Sequence, residues 1–424
     1  MNLNLWIFHH YATLPNLNGL IRPYRFAGHL RENGFDTTIF AASYQHYSGE
    51  NLIKDNSAYL EKTAGEVPFI FIKTPSSAIG GVSRIKNMVA FYQGLMKSSK
   101  GYADKCGKPD MILASSPHPL AMIAGIKIAK RYRIPCICEV RDLWPEAIFN
   151  ASRIKENSLI GKILTAGEHW IYRHADALIF TKEGDTDYLK EHKWTTAQGG
   201  DIRLNKCFYI NNGVDLSSYY EEQNTNCLDD ADLNDGKFHV VYAGAIRRIN
   251  DVGNILDAAS LLRDNHDISF LIYGDGNEAE VLRKRIFDEG LTNVKMKGFV
   301  EMKYIPYILS RSSVNLLNYS QTEYNWSRGN SSNKLFEYMA SGRPVISTIK
   351  MGYSIIEKYC CGIELDEHTP DALATAIMHI KDMPAEQYAT LCQNAREGAK
   401  DFDYKNLSNN LLDVINQTLS TEGL

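Results

Sequence analysis

No stretch of this 424-residue sequence approaches the roughly 20 consecutive apolar residues of a membrane-spanning helix. Cysteine is scarce and scattered: of eight, only Cys136/Cys138 and Cys360/Cys361 lie close together, and no C-x-x-C occurs. That removes the ligand spacing of a zinc ribbon and the redox pair of a thioredoxin-like site, and leaves reduced thiols of a cytosolic protein as the simple reading. The opening residues, MNLNLWIFHHYATLP, lack the basic n-region and small-residue cleavage site of a signal peptide. They read as a buried first strand, and the protein is expected to stay in the cytoplasm. No G-x-G-x-x-G follows that strand, which argues against a dinucleotide oxidoreductase. Positive charge is also missing overall: the formal charge is −4 and the pI near 6.3, so nucleic acid is not an expected partner.

The chain does have enough residues for two cores of roughly 200 residues each. Apolar residues make up 44% and charged residues 23%, a globular composition. The charge is unevenly spread, with 16 Lys+Arg against 8 Asp+Glu in residues 1–135. Such a basic half suits an anionic surface such as a membrane or phosphates, or is a solvated face.

Short apolar runs alternate with amphipathic stretches, the pattern of βα units around a parallel sheet. In the first half, strands are predicted at Leu3–Phe8, Thr37–Ala42, Phe69–Lys73, Met111–Ser115, Cys136–Val140 and Ala177–Thr181. Helices are predicted at Ile21–Asn33, Ser83–Ser99, Ala121–Tyr132 and Ile160–His174. Residues 221–236, EEQNTNCLDDADLNDG, are polar, acidic and aperiodic, and read as a linker or surface loop. A second alternating series starts at His239–Ala243 and ends in helix Lys334–Ser341, strand Pro344–Ser347 and two late helices, the last at Leu407–Leu419. The expectation is two facing, doubly wound α/β domains, with ligands at the carboxyl ends of strands in the cleft between them.

The most informative segment is Ser331-Ser332-Asn333-Lys334-Leu335-Phe336-Glu337-Tyr338-Met339-Ala340-Ser341-Gly342-Arg343-Pro344-Val345-Ile346. Small polar residues open a helix, so its free N–H groups and dipole can receive a diphosphate. Lys334 adds a full charge there. Glu337 lies one turn further on the same side, where a carboxylate can accept hydrogen bonds from ribose hydroxyls. This string resembles the donor-site segment of glycosyltransferase family 4, S-x-N-K-x-x-E-x-x-A-x-G-x-P-V. Asn212-Gly213-Val214-Asp215, Val241-Tyr242-Ala243-Gly244, Leu271-Ile272-Tyr273-Gly274-Asp275-Gly276 and Gly298-Phe299-Val300 are similar to family segments in the same order. Glu139-Val140-Arg141-Asp142-Leu143-Trp144-Pro145-Glu146 and Ser115-Ser116-Pro117-His118-Pro119 resemble the branch that assembles bacterial surface polysaccharides (O-antigen and capsule).

The resemblance implies the GT-B fold: two Rossmann-like domains, residues 1–210 for the acceptor and 211–404 for the nucleotide-sugar donor. A final helix at 405–424 returns to the first domain. It implies a retaining, metal-independent transferase that uses a UDP-sugar as co-substrate and no cofactor. The implied donor residues are Gly244, Arg247, Arg248, Gly274, Gly276, Phe299, Ser331, Ser332, Asn333, Lys334, Leu335 and Glu337. Gly19, His118, Arg141 and Glu146 would meet the acceptor, and Arg141, Asp142, Lys334 and Glu337 would serve the chemistry. Arg141 and Asp142 either touch the transferring sugar or the acceptor, or form a pair that fixes the loop. One of His9 and His10 is expected to face the cleft and the other the core.

The family's usual cations after Gly244 are replaced by Ala245 and Asn250, and its first acidic residue by Gly329; Arg247 and Arg248 are the candidate substitutes. Of the two D-x-D strings, Asp185-Thr186-Asp187 opens a helix and Asp230-Ala231-Asp232 falls in the linker, so neither is expected to bind metal. The basic helix over residues 83–108, with Ile85, Val89, Tyr92 and Met96 at helical spacing, suits either packing or an anionic membrane. With a lipid-linked saccharide as acceptor, the protein would sit peripherally on the inner face of the plasma membrane. Two alternatives remain: a UDP-sugar 2-epimerase of the same fold, and a non-catalytic pair of binding domains.

Overall fold

A computed structural model describes residues 2–421 apart from 16, 18, 47, 78–80, 152–153 and 322–324. Met1 and residues 422–424, which fall in segments of the reading above, lie outside these. The chain divides into unit 1, Met1–Asn211 with Ser408–Leu424, and unit 2, Asn212–Leu407.

Unit 1 runs β1 (Leu3–His9), α1 (Arg22–Glu32), β2 (Phe35–Ala42), β3 (Tyr59–Ala64), β4 (Val67–Ile72), α2 (Val82–Cys106), β5 (Met111–Ser115) and α3 (Pro119–Tyr132). It continues through β6 (Cys136–Val140), α4 (Trp144–Ala151), α5 (Leu159–His174), β7 (Ala177–Phe180), α6 (Asp185–Glu191) and β8 (Cys207–Tyr209). The sheet order is β3-β4-β2-β1-β5-β6-β7-β8, parallel except for β3 against β4. Leu5, Trp6, Ile7 and Phe8 are all buried, as a strand covered on both faces requires. Crossovers through α2, α3 and α5 all step the same way along the sheet. The right-handed rule therefore puts those helices on one face and α1, which steps the other way, on the opposite face. α2 outruns the predicted Ser83–Ser99 because Tyr102 and Ala103 still reach the core.

Unit 2 holds α7 (Leu216–Thr225), β9 (Phe238–Ala243), α8 (Val252–Leu261), β10 (Ile268–Tyr273), α9 (Ala279–Asp288), β11 (Val294–Gly298), α10 (Ile305–Ser310) and β12 (Val314–Leu317). After these come α11 (Asn333–Ala340), β13 (Val345–Ser347), α12 (Ile355–Tyr359), β14 (Gly362–Glu364), α13 (Pro370–Lys381) and α14 (Ala385–Asp401). The last helix, α15 (Tyr404–Thr421), starts in unit 2 and continues into unit 1. The sheet, β11-β10-β9-β12-β13-β14, is wholly parallel, with an apolar cluster on each face.

Two expectations fail here. The acidic stretch 221–236 is no free linker: α7 covers its start, capped by Asp215, which accepts from Ser218 N, and anchored by buried Leu216 and Tyr219. Asp230 then accepts from Lys297 Nζ at 2.7 Å and Tyr273 Oη at 2.9 Å. Few apolar residues hold this segment, so their periodicity is faint, yet Leu233 is buried and Leu228 partly so against the core of unit 2. Where two late helices were expected after strand Pro344–Ser347, the described residues form four after β13, α12 to α15, with β14 between the first two.

The N-G-V-D turn is a packing constraint. Val214 N donates to Phe402 O and Tyr404 N to Val214 O, each at 3.0 Å, which ties the turn to the end of α14. A Cβ on Gly213 would stand 2.0 Å from Phe402 O, and backbone cannot yield as a flexible side chain can. We expect Gly213→Ala to lower stability by about 1–3 kcal/mol, read as a lower urea midpoint at unchanged slope.

Candidate functional site

In unit 2 the carboxyl ends of β9, β10 and β11 carry three glycine turns in mutual contact. Gly274 N donates to Gly298 O at 2.8 Å and Gly244 N to Tyr273 O at 3.0 Å. Gly274 has φ +135°, and a Cβ there would lie 1.8 Å from Gly244 O, so only glycine satisfies both backbone and space. A Cβ on Gly276 would meet Ile246 O at 2.1 Å. Phe299, just past β11, is exposed.

α11 opens beside these turns. Tyr338 Oη donates to Ala243 O at 3.0 Å and pins the helix to the end of β9. Ser332, at the N-cap, does not cap its own helix; its hydroxyl accepts from Tyr319 Oη at 2.5 Å. Asn330 Oδ1 receives Ser332 N at 2.8 Å, and Ser331 O accepts from Asn212 Nδ2 at 2.6 Å. The first turn of α11 is thus braced from outside, with N–H groups left over for an anion.

Lys334 reaches back over Gly244, where an added Cβ would meet its Cδ at 3.0 Å. Its ammonium lies 4.4 Å from the centre of the Tyr319 ring and 4.9 Å from that of Tyr242. Burial lowers its pKa to about 7 even though Glu337 opposes the shift. Glu337 moves the other way, to about 7, through burial and then the nearby Glu222, offset in part by Lys334. Two half-buried ionisable groups one helical turn apart are thereby poised for an anion and for hydroxyl donors.

Several sequence candidates take other places. The side chain of Leu335 is in the core and its N–H meets Ser332 O, so it offers a ligand nothing. Asn250, at the position of a family cation, is a buried brace: its Nδ2 donates to Ala245 O at 2.6 Å, while Asn318 Nδ2 holds Asn250 O and Asp251 O, each at 2.7 Å. Arg247 and Arg248 are exposed on the same loop, and Asn333 is exposed at the start of α11. Gly329, where the family has an acid, has φ +99°, a conformation that carboxylate residues rarely adopt. Asp230 and Asp232 both bind Lys297, and Asp187 pairs with Lys190. Among the described residues no group of three or more His, Cys, Asp or Glu is placed to hold a metal. Tyr319 was not singled out from sequence, and Tyr242 and Asn212 entered only as members of quoted segments with no role of their own; their contacts with α11 and the residues that open it are long-range.

In unit 1 the carboxyl ends of β1, β5 and β6 meet around buried charge. Arg22, on the first residue of α1, donates Nε and Nη2 to Glu139 Oε1 at 3.0 and 2.9 Å, and Nη1 and Nη2 to Asn211 O and Ile210 O at 2.5 and 3.0 Å. Ser115 Oγ donates to Glu139 Oε2 at 2.5 Å. Burial alone would raise the Glu139 pKa, but Arg22, Arg141 and Ser115 hold it at about 2. Half-buried Arg141 reaches His9 Nε2 at 3.0 Å; a guanidinium only donates, so that nitrogen accepts. Both His9 and His10 are buried, contrary to the expectation of one facing outward.

The second histidine pair has its protons fixed by its neighbours. Asn87 Nδ2 donates to Pro75 O at 2.5 Å, which turns Asn87 Oδ1 toward His10 Nε2 at 2.6 Å. His10 Nε2 must then donate, so its Nδ1 accepts from His118 Nε2 at 2.7 Å. His118 Nδ1 is left with a lone pair and no hydrogen-bond partner among the described residues. Burial first, then His10, His9 and Arg84, keeps His118 well below the usual imidazole range, and burial brings His10 to about 3. His118 is the N-cap of α3. Gly19 lies in a loop closed by the Ala12–Leu20 bridge, and Asp142 and Glu146 are half-buried around the start of α4. That start is pinned by buried Glu168, which accepts from Tyr172 Oη at 2.6 Å, Tyr188 Oη at 2.7 Å and the Trp144 backbone.

Comparisons with known proteins agree on both units. The family model Glycosyltransferase Family 4 matches residues 23–218 and Glycosyl transferases group 1 matches residues 237–382. No curated protein matches the sequence. Among solved structures, sucrose-phosphate synthase from Thermosynechococcus elongatus superposes with a TM-score of 0.71 at 16% identity, over 99% of this chain and 100% of that one. Anabaena HepE in complex with UDP gives 0.66 at 15%, over 98% and 100%. WaaG, a glycosyltransferase involved in lipopolysaccharide biosynthesis, gives 0.64 at 12%, over 97% and 99%.

Two outcomes follow from these geometries. With UDP as probe, affinity should fall as pH rises above about 7, because the free protein loses the Lys334 proton that a diphosphate restores. Lys334 should contribute at most about tenfold per pH unit to the slope, one proton on this group being linked. Titrations from pH 6 to 9 should show this limb, and Lys334→Gln should flatten it. Nitrogen-15 spectra of labelled histidine should show His10 and His118 neutral at pH 5, both protonated at Nε2 only.

Proposed function

From a chain that carries the two glycosyltransferase domains of the GT-B fold, we propose that it moves a sugar from UDP onto a lipid-linked saccharide in the assembly of a bacterial surface polysaccharide, O-antigen or capsule. The sugar belongs to the N-acetylated hexosamine or deoxyhexosamine class. The observation that carries the donor half is the meeting of Gly244, Lys334 and the braced first turn of α11, with Glu337 one turn inward. Solved neighbours include one bound to UDP and one from lipopolysaccharide assembly, which supports the nucleotide and the acceptor class.

In this reading the diphosphate lies on the α11 N-terminus, where Lys334 neutralises the charge that develops as the bond from sugar C1 to the β-phosphate oxygen breaks. Ser331, Ser332 and Asn333 supply backbone N–H groups, and Arg247 and Arg248 the cations that Ala245 and Asn250 do not. Glu337 accepts the ribose hydroxyls, and Phe299 lies along the base. The acceptor oxygen attacks C1 from the face the phosphate leaves, so configuration is retained, and its proton passes to the departing phosphate. Arg141, Asp142, Glu146, Gly19 and His118 line the acceptor side. Positioning and fixed charge suffice for this chemistry, with no metal or other cofactor.

Among the described residues no helix is long and apolar enough to cross a membrane; we place the protein in the cytoplasm, peripheral on the inner face of the plasma membrane.

Calorimetric titration of UDP into the wild type and Glu337→Ala, without divalent metal, tests the donor site. We expect micromolar binding that weakens at least about tenfold in the variant, or about 1.4 kcal/mol. A wild type with no affinity for UDP would leave a non-catalytic pair of binding domains, the reading that Ala245 and Asn250 favour.

A further inference from the structure

In unit 2 the loops that follow β9, β13 and β14 meet on one side chain, His368. It is half-buried between β14 and α13, with Nδ1 2.9 Å from Thr348 O and Nε2 2.8 Å from Asp251 Oδ2. A carbonyl and a carboxylate oxygen only accept, so both ring nitrogens donate, and an imidazole with two protons is a cation. The bond to Asp251 raises the pKa of His368 above the usual imidazole value, burial opposes it, and the Thr348 carbonyl adds to the rise. Asp251 is the charged group at the ring: Lys350 and Asp366 pair with each other, and Glu367, Asp371, Arg247 and Arg248 are exposed.

Both partners lead to the candidate donor site. Asp251 closes the loop after β9 that carries Arg247 and Arg248, and it has φ +43°. A residue other than glycine keeps that left-handed backbone only where its surroundings enforce it. Asp251 stands at the N-cap of α8, yet its carboxylate does not cap that helix; it turns to His368 instead. Thr348, just past β13, donates its N–H to Leu317 O at 3.1 Å, and its hydroxyl accepts from Tyr319 N at 3.3 Å. The Tyr319 ring flanks Lys334, and its hydroxyl braces Ser332. One imidazolium therefore joins the loop of the exposed arginines to the strand ends behind Lys334.

We propose that His368 is a positioning residue for the nucleotide diphosphate: in its doubly protonated form it clasps the loop from Arg247 to Asp251 against the strand ends and so holds the two arginines toward the first turn of α11. A neutral ring has one proton and can serve Thr348 or Asp251, not both. The clasp is complete while the ring is charged and is lost as pH rises through its raised pKa. Binding is reciprocal, so a nucleotide that favours the closed loop also holds the proton on His368 more tightly. The inference deepens the donor half of the proposed function and rests on that reading for its ligand, while the clasp itself is tested without one.

The full chain with nitrogen-15-labelled histidine is titrated from pH 5 to 9, the His368 signals being assigned by their loss in His368→Gln. We expect both ring nitrogens protonated at pH 6 and a midpoint above the ordinary imidazole value of about 6.5. The midpoint should fall back toward that value in Asp251→Asn, a substitution that tolerates the left-handed backbone. UDP should move it upward in the wild type. Calorimetry should find UDP affinity in His368→Gln at least about fivefold below the wild type at pH 6, with the gap closing by pH 9. Lys334 titrates in both proteins and cancels from this ratio. A gap that does not change with pH marks a packing role only and overturns the proposal, as does a midpoint at or below about 6.5 or a variant that binds like the wild type at pH 6. A wild type that ignores UDP overturns the donor reading instead, and the nitrogen-15 titration with Asp251→Asn then decides the clasp alone.

Discussion

Where the strands of unit 2 end, main chain rests directly on main chain: the turn after β10 touches the carbonyl of the turn after β9, with no room for a Cβ between them. That closeness fixes the height of the strand ends relative to α11, and so the path of Lys334 across Gly244. A larger residue at either turn would move the ammonium away from the first turn of α11, and the two ligand-facing features would no longer coincide. The aromatic rings of Tyr242 and Tyr319 depend on the same spacing, since they can flank Lys334 only while it lies over the turn. Most of the candidate donor site is therefore set by small residues and the room they leave.

Unit 1 solves the equivalent problem with charge. Its strand ends hold a buried arginine and carboxylate where unit 2 holds glycines, and a buried pair of this kind is costly unless every oxygen and N–H is used. Arg22 and Glu139 come close to that, drawing in Ser115 and two backbone carbonyls from the exit of the sheet. The histidines around them are kept neutral by the burial that makes the ion pair tight. Their tautomers follow from an asparagine amide on α2, so the helix that carries the basic face also sets the proton on a ring at the sheet's edge.

The parts legible in the sequence are those whose signal is local. Apolar runs such as Met111–Ser115 and Cys136–Val140 became strands with the bounds expected of them. Two doubly wound α/β units followed from their alternation with helices, and the GT-B fold from the family resemblance. β3 was missed because its residues, YLEKTA, pair at the sheet's edge with much of their surface in solvent and form no apolar run. The acidic stretch before β9 misled for the opposite reason: Asp230 and Asp232 are fixed by Lys297, more than sixty residues away. Lys334 and Glu337 were visible because helix spacing relates them, whereas Asn212, Tyr319 and Asn87 act through partners that no short window contains.

The final helix has a consequence for how the chain is made. α15 starts in unit 2 at Tyr404 and supplies residues 408–421 to unit 1, with Leu411, Val414 and Ile415 buried. On the ribosome, the half synthesised first must wait for these residues, while the half synthesised second needs nothing that follows Leu407. Unit 2 can therefore reach its finished state before unit 1 does, and the order of completion runs against the order of translation. A nascent chain stalled inside α15 would expose an unfinished first unit behind a finished second one, the kind of surface that chaperones and proteases recognise.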